Sequence, residues 1–159
     1  MRSARVYRML LQAGVLALLV FGAPGHARAQ AAVTAMQPLD FGQILPGLAE
    51  TVGIQDTWRR AEVRVEGGGN FDVRIILPQA LVSPEGARIP LVFRNGDAAY
   101  AIKANRQVTF DPNVTQRIRI PPGQGEAMLY LGGTATTTPG QRAGQYSATL
   151  VVVVSNTAL

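Results

Sequence analysis

From residue 61 onward the chain places apolar side chains at every second position, with Gly or Pro breaking the pattern. A period of two is the signature of half-buried strands, and it excludes an amphipathic helix as the building block. "AEVRVEG" (residues 61–67) sets Ala61, Val63 and Val65 on one face and Glu62, Arg64 and Glu66 on the other, and "FDVRI" (residues 71–75) repeats the pattern. With "GGGN" between them, the pair reads as a β-hairpin. Further strands are expected at "TVGIQ" (51–55), "IPLVFRN" (89–95), "QVTFD" (107–111), "TQRIRI" (115–120), "EAMLYL" (126–131) and "QYSATLVVVVS" (145–155). Turn chemistry separates them at Pro84-Glu85-Gly86, Asn95-Gly96, Asp111-Pro112-Asn113, Pro121-Pro122-Gly123, Gly132-Gly133 and Pro139-Gly140. No stretch keeps a helical period for three turns. About eight short strands at this spacing predict one all-β domain, an antiparallel sandwich or barrel. "GGTATTTPGQRAG" (132–144) reads as an exposed loop before the last strand.

The first 29 residues stand apart from this pattern. Arg2, Arg5 and Arg8 precede an apolar run over residues 9–21, and Ala27-Arg28-Ala29 supplies a small-x-small cleavage site. This predicts a cleaved signal peptide, residues 1–29, ahead of a β domain at residues 30–159, and a secreted protein of the periplasm, cell surface or exterior. The run is shorter than the roughly 20 residues that span a bilayer, so no membrane insertion of the mature chain is expected. An outer-membrane barrel fits poorly, because most runs are shorter than its strands and the aromatic residues do not form two girdles.

Loss of the leader leaves 11 basic against 10 acidic residues, so the basic balance of the whole chain is no nucleic-acid footprint. Cys is absent and the only His, His26, lies in the leader. Without His or Cys there is no Ser-His-Asp triad, no thiolate nucleophile and no ordinary zinc or copper site. The carboxylates are scattered, with Glu62, Glu66 and Asp72 at outward strand positions and Asp111 initiating a turn. A non-enzymatic protein without cofactor or metal is the expectation. Trp58, beside Arg59 and Arg60, is the candidate ligand contact, since an indole stacks on a sugar face and arginines hold an acid group. The competing reading of Trp58 is packing in the core or at an edge.

Both ends of the mature chain carry more specific patterns. "LDFGQILPG" (39–47) supplies Leu39, Asp40, Phe41, Gly42, Ile44, Pro46 and Gly47, and "AGQYSATLVVVV" (143–154) supplies Gly144, Tyr146, Ala148, Leu150, Val152 and a β-branched run. Leu39 and Phe41 share a strand face, Gly42 permits a bend, and Pro46-Gly47 starts a turn. Together these motifs resemble the bacterial secreted family called domain of unknown function 4402, which is similar to spore-coat-U and fimbrial-subunit immunoglobulin-like sandwiches. The resemblance implies a single antiparallel immunoglobulin-like β-sandwich and a structural or adhesive surface subunit, with self-association, other surface subunits or a periplasmic chaperone as partners. It also implies strand addition, with residues 31–38 as an N-terminal donor or an edge strand and Val33 and Ala35 as plugs. The chain departs from fimbrial subunits in having no cysteine pair and no aromatic near its last residues, "SNTAL". Eight strands could also complete the sandwich unaided. A monomeric carbohydrate- or ligand-binding module is the alternative function.

The last strand poses the sharpest question. Tyr146, Ala148, Leu150, Val152 and Val154 share one face, while the other passes from Ser147 and Thr149 to Val151 and Val153. Apolar character on both faces predicts a strand central to its sheet, covered on both faces at one end.

Overall fold

A computed structural model describes residues 9–10, 12–13, 31–103, 106–121, 123 and 125–157. Apart from those four leader positions, the expected signal peptide lies outside the described residues, as do Ala158 and Leu159. The strands are β1 (Ala32–Gln37), β2 (Asp40–Gly42), β3 (Ala49–Val52), β4 (Ala61–Glu66), β5 (Gly69–Ile76), β6 (Ala80–Val82) and β7 (Arg88–Val92). There follow β8 (Ala98–Ile102), β9 (Val108–Phe110), β10 (Gln116–Ile120), β11 (Glu126–Leu131), β12 (Gly133–Thr136) and β13 (Thr149–Asn156). The first sheet runs β9-β8-β11-β4-β1, the second β10-β5-β13 with the short segment Gln12–Ala13 beside β13, and the third β3-β12-β7-β6. The labelled strands pair antiparallel throughout.

The period-two faces meet in one core. Val63, Val65, Leu129 and Leu131 from the first sheet join Phe71, Val73, Ile75, Ile118, Ile120 and Leu150 from the second. Val52, Leu81, Ile89, Leu91 and Ala135 bring in the third. At roughly 25 cal/mol per Å² of apolar surface removed from water, side chains of this size each contribute about 1.5–3 kcal/mol, and the sandwich closes by facing them inward. The orders β1-β4-β11-β8 and β5-β13 reproduce the A-B-E-D and C-F arrangements of an immunoglobulin-like sandwich. A buried tyrosine at the entry to β13 fits that assignment. Tyr146 is 1% exposed, and its hydroxyl donates to the Arg142 carbonyl at 2.8 Å and accepts from Gln141 Nε2 at 2.8 Å. A tyrosine bonded to backbone a few residues upstream, at the corner before strand F, is a mark of this fold.

Three expectations need correction. β4 and β5 do not form a hairpin: β4 pairs with β11 and β1, and β5 with β10 and β13. Two alternating strands read the same whether they share a sheet or face each other across the core. Gly67 and Gly69, at φ +146° and +124°, turn the chain from one sheet to the other. β8, "AAYAI", had no alternation to reveal it, because Ala99 and Ala101 are buried on the outer face as completely as Ala98 is on the inner. Part of the predicted loop at 132–144 is β12, which lies inside the third sheet between β3 and β7. Its small residues suit that place, with Ala135 buried and the Thr134 hydroxyl 2.9 Å from that of Thr51 on the paired strand. The last strand has neighbours on both edges, as expected, β5 along residues 151–156 and Gln12–Ala13 beside Thr149 and Leu150, so that among the described residues Val151–Asn156 are paired along one edge.

Gly132, between β11 and β12, marks where the chain leaves the first sheet for the third. A Cβ there would lie 2.2 Å from the Val52 carbonyl oxygen, a backbone atom that cannot swing aside. Gly132→Ala should therefore cost about 2–3 kcal/mol in denaturant unfolding. Gly140→Ala, with open space at that Cβ, should stay within about 0.5 kcal/mol. On β13, Leu150 is 2% exposed whereas Thr149 is exposed. Leu150→Asp should cost about 4 kcal/mol by burying an unpaired charge, and Thr149→Asp less than about 0.5 kcal/mol.

Candidate functional site

The "LDFG" motif is a structural anchor. Leu39 and Phe41 are fully buried, the Asp40 carboxylate accepts the Gly42 N–H at 2.8 Å, and Gly42 takes φ +65°. The Pro46-Gly47 turn is exposed and tied down from one side chain. The Thr137 hydroxyl reaches the Leu45 and Leu48 carbonyls, both at 2.8 Å, and Gly47, at φ +80°, lies against Pro139. Gly144 borders the Tyr146 ring. None of these residues presents a reactive group to solvent.

The Trp58 turn lies beside that anchor. Asp40 N–H donates to the Arg59 carbonyl at 2.8 Å, and Gln37 Nε2 donates to the Thr57 and Arg60 carbonyls at 3.1 and 2.8 Å. Trp58 is neither core nor edge packing, because it is 88% exposed. Its arginine neighbours are engaged within the protein. Arg59 bridges Glu50 and Asp56, each at 2.6 Å. Arg60 is 7% exposed, pairs with Glu62 at 2.7 Å, donates to the Ile54 carbonyl at 2.6 Å, and stacks 3.8 Å above the Tyr130 ring. Sequence reading chose these arginines as ligand contacts. Of their partners, Asp56 and Glu62 stand within three positions and could have been read as local ion pairs, Glu50 lies nine positions from Arg59, and the Tyr130 ring alone is remote. The turn therefore holds an indole out to solvent on a rigid base, without a free cation beside it.

The other candidate is the edge of β13. Val152 and Val154 face inward beside Ile75 and Val73 of β5, yet both are only half-buried although they pack against the core. Leu150 and Val152 line a small apolar gap with Ala61, Val63 and Leu129. Opposite, at the edge of the first sheet, Val33 and Ala35 of β1 are half-buried as well. The core is thus incompletely covered along this side. Two short leader pairings lie near this side. Gln12 and Ala13 lie parallel beside Thr149 and Leu150, while Met9 and Leu10 lie antiparallel beside Gly42 and Asp40.

The remaining sheet edges are protected in ways that β13 is not. β9 and β6 have three residues each, β10 carries Arg117 and Arg119 and ends before Pro121, and β3 carries Glu50. β1 is broken by a register shift at Met36. Short length, charge, proline and bulges are how folded proteins blunt exposed edges. β13 is eight residues long, contains Val151–Val154, and has neither charge, proline nor bulge in its pairing with β5.

The Arg59 guanidinium holds the Asp56 carboxyl below its ordinary value of 3.8, outweighing a smaller upward push from burial. A depressed carboxyl stabilises the fold at pH above the unfolded value, and that contribution fades as pH falls through the lower folded value. Asp56→Asn should thus lower the melting temperature at pH 7, with the difference from wild type closing between pH 4 and pH 2, as followed by thermal melts across that range.

Among the described residues no helix is long and apolar enough to cross a membrane. No curated protein matches the chain. The resemblance carried by residues 39–47 and 143–154 is borne out at the level of family, with the second motif inside the matched region and the first just ahead of it. Residues 50–155 match the family described as a domain of unknown function, DUF4402, and the chain belongs to that family.

Proposed function

We propose that this protein is an exported, non-catalytic structural subunit of a bacterial cell surface that assembles by accepting an extended strand beside β13. The observation that carries this reading is the position next to strand F. An immunoglobulin-like sandwich places strand G there, and among the described residues only Gln12–Ala13 pair there, against Thr149 and Leu150. Removal of the leader bares the whole edge. An incoming strand would complete the second sheet through main-chain hydrogen bonds and set alternate side chains against Val152 and Val154, which is strand addition. The similarity of the sequence motifs to fimbrial-type sandwiches supports the same reading. A periplasmic chaperone that covers β13 until assembly is the partner such an edge requires.

Recovery of the processed chain from the cell envelope tests the proposal. Wild type should run in an assembly larger than the monomer. Val152→Lys, which puts a charge into the slot, should return it to monomer size, while Val151→Lys, on the outer face, should not. A wild-type chain found in the envelope solely as monomer overturns the reading.

A second reading rests on Trp58, whose exposure and braced turn suit stacking on a carbohydrate or other flat ligand. Trp58→Ala should abolish glycan-array binding while leaving the melting temperature within about 2 °C, because so exposed a side chain contributes little to packing. Binding unaffected by the substitution would exclude this site.

A further inference from the structure

The partner strand can be narrowed, on the strength of the strand-addition reading. We infer that the processed chain accepts a strand but has none of its own to give, so that the segment entering beside β13 belongs to a different polypeptide. Donation from an N-terminus requires residues ahead of the first strand that are free of the donor's own sheet. Cleavage after Ala29 leaves Gln30 and Ala31 before β1 begins at Ala32. The next segment is already in use. β1 pairs with β4 in the register Ala32↔Glu66, Val33↔Val65, Thr34↔Arg64, Ala35↔Val63 and Gln37↔Glu62. Its far end is fixed by Gln37, which bonds two carbonyls of the Trp58 turn, and by the buried Leu39.

Giving β1 to a neighbour would exchange one ladder for another of the same length. It would also bare the edge of β4 beside the buried Val63 and Val65. Hydrogen-bond gain and loss would cancel, and the apolar balance would be unfavourable. A strand from elsewhere adds its ladder without dismantling one. Its chemistry follows from the slot. Val33, Val152 and Val154 pack against the core yet are only half-buried, and Ala35 is half-buried on the same face of β1 as Val33; side chains this small suit large apolar residues at every second position of the entering segment. Val33 and Ala35, the residues β1 would offer instead, are themselves small.

The test uses the processed chain purified from the periplasm and two synthetic peptides. One is residues 30–38 of this protein; the other is a soluble decapeptide with isoleucine at alternate positions and lysine and threonine between. The chain alone should sediment as a monomer at high micromolar concentration. The isoleucine peptide should bind at least tenfold more tightly than the 30–38 peptide and slow amide exchange over residues 151–156. Equal or tighter binding of the 30–38 peptide, or self-assembly of the purified chain that this peptide inhibits, would overturn the inference and leave strand addition standing. If neither peptide binds and the 151–156 amides are already slow to exchange in the monomer, the edge is closed and both readings fall.

Discussion

Each β-strand has two edges of unpaired backbone groups, and the way this sandwich satisfies them governs the rest of its structure. β13 is held in register by β5 from Val151↔Ile76 to Asn156↔Phe71, and that ladder sets which valines face the core. Tyr146 fixes the entry to the strand, since its hydroxyl ties the preceding loop, and Val82 bridges to Ser147 to join the third sheet to the same point. With its start and one edge determined, β13 cannot turn its second edge inward. The core under Val152 and Val154 stays partly open as a consequence of sheet geometry.

The Trp58 turn is built on a different balance. Arg60 is almost fully removed from water, and a buried guanidinium is tolerated only when its charge and its donors are met. Glu62, the Ile54 carbonyl and the Tyr130 ring meet them. Because Tyr130 stands beside Ala99 on the outside of the first sheet, the same contact covers a face that an immunoglobulin-like sheet would otherwise expose. The arginine therefore serves packing, and only the indole beyond it is left to meet a ligand.

Much of the fold was legible because core and solvent alternate along β4, β5, β10 and β11. Turn chemistry was legible too: Gly86 and Gly96 have positive φ at the expected turns, and Asp111 accepts the Asn113 N–H to initiate its own. What failed did so for one reason, that alternation reports burial and not pairing. It could not separate a hairpin from a corner at residues 67–69. It gave no signal at β8, covered on both faces, or at β12, whose threonines and glycine resemble a loop. The apolar run at Val151–Val154 was visible, but two apolar faces do not say how far along the strand each edge is paired, which is settled here by β5 along 151–156 and Gln12–Ala13 at 149–150. Of the brace around Arg59 and Arg60, the carboxylates Asp56 and Glu62 stand close in sequence and were open to reading, whereas the Tyr130 ring is brought over Arg60 by the fold.

The same reasoning connects the leader to the exposed edge. Residues 150–154 combine high β propensity with no charge and no proline, the composition of a segment that pairs with itself when left open. Evolution usually breaks such a run with a lysine or a bulge, and the other edges of this sandwich show that the chain has those devices. Among the described sheet edges β13 lacks them. Under the strand-addition proposal, an edge covered during export and filled on assembly would need the valines, because a protective charge would repel the incoming strand as effectively as an unwanted one.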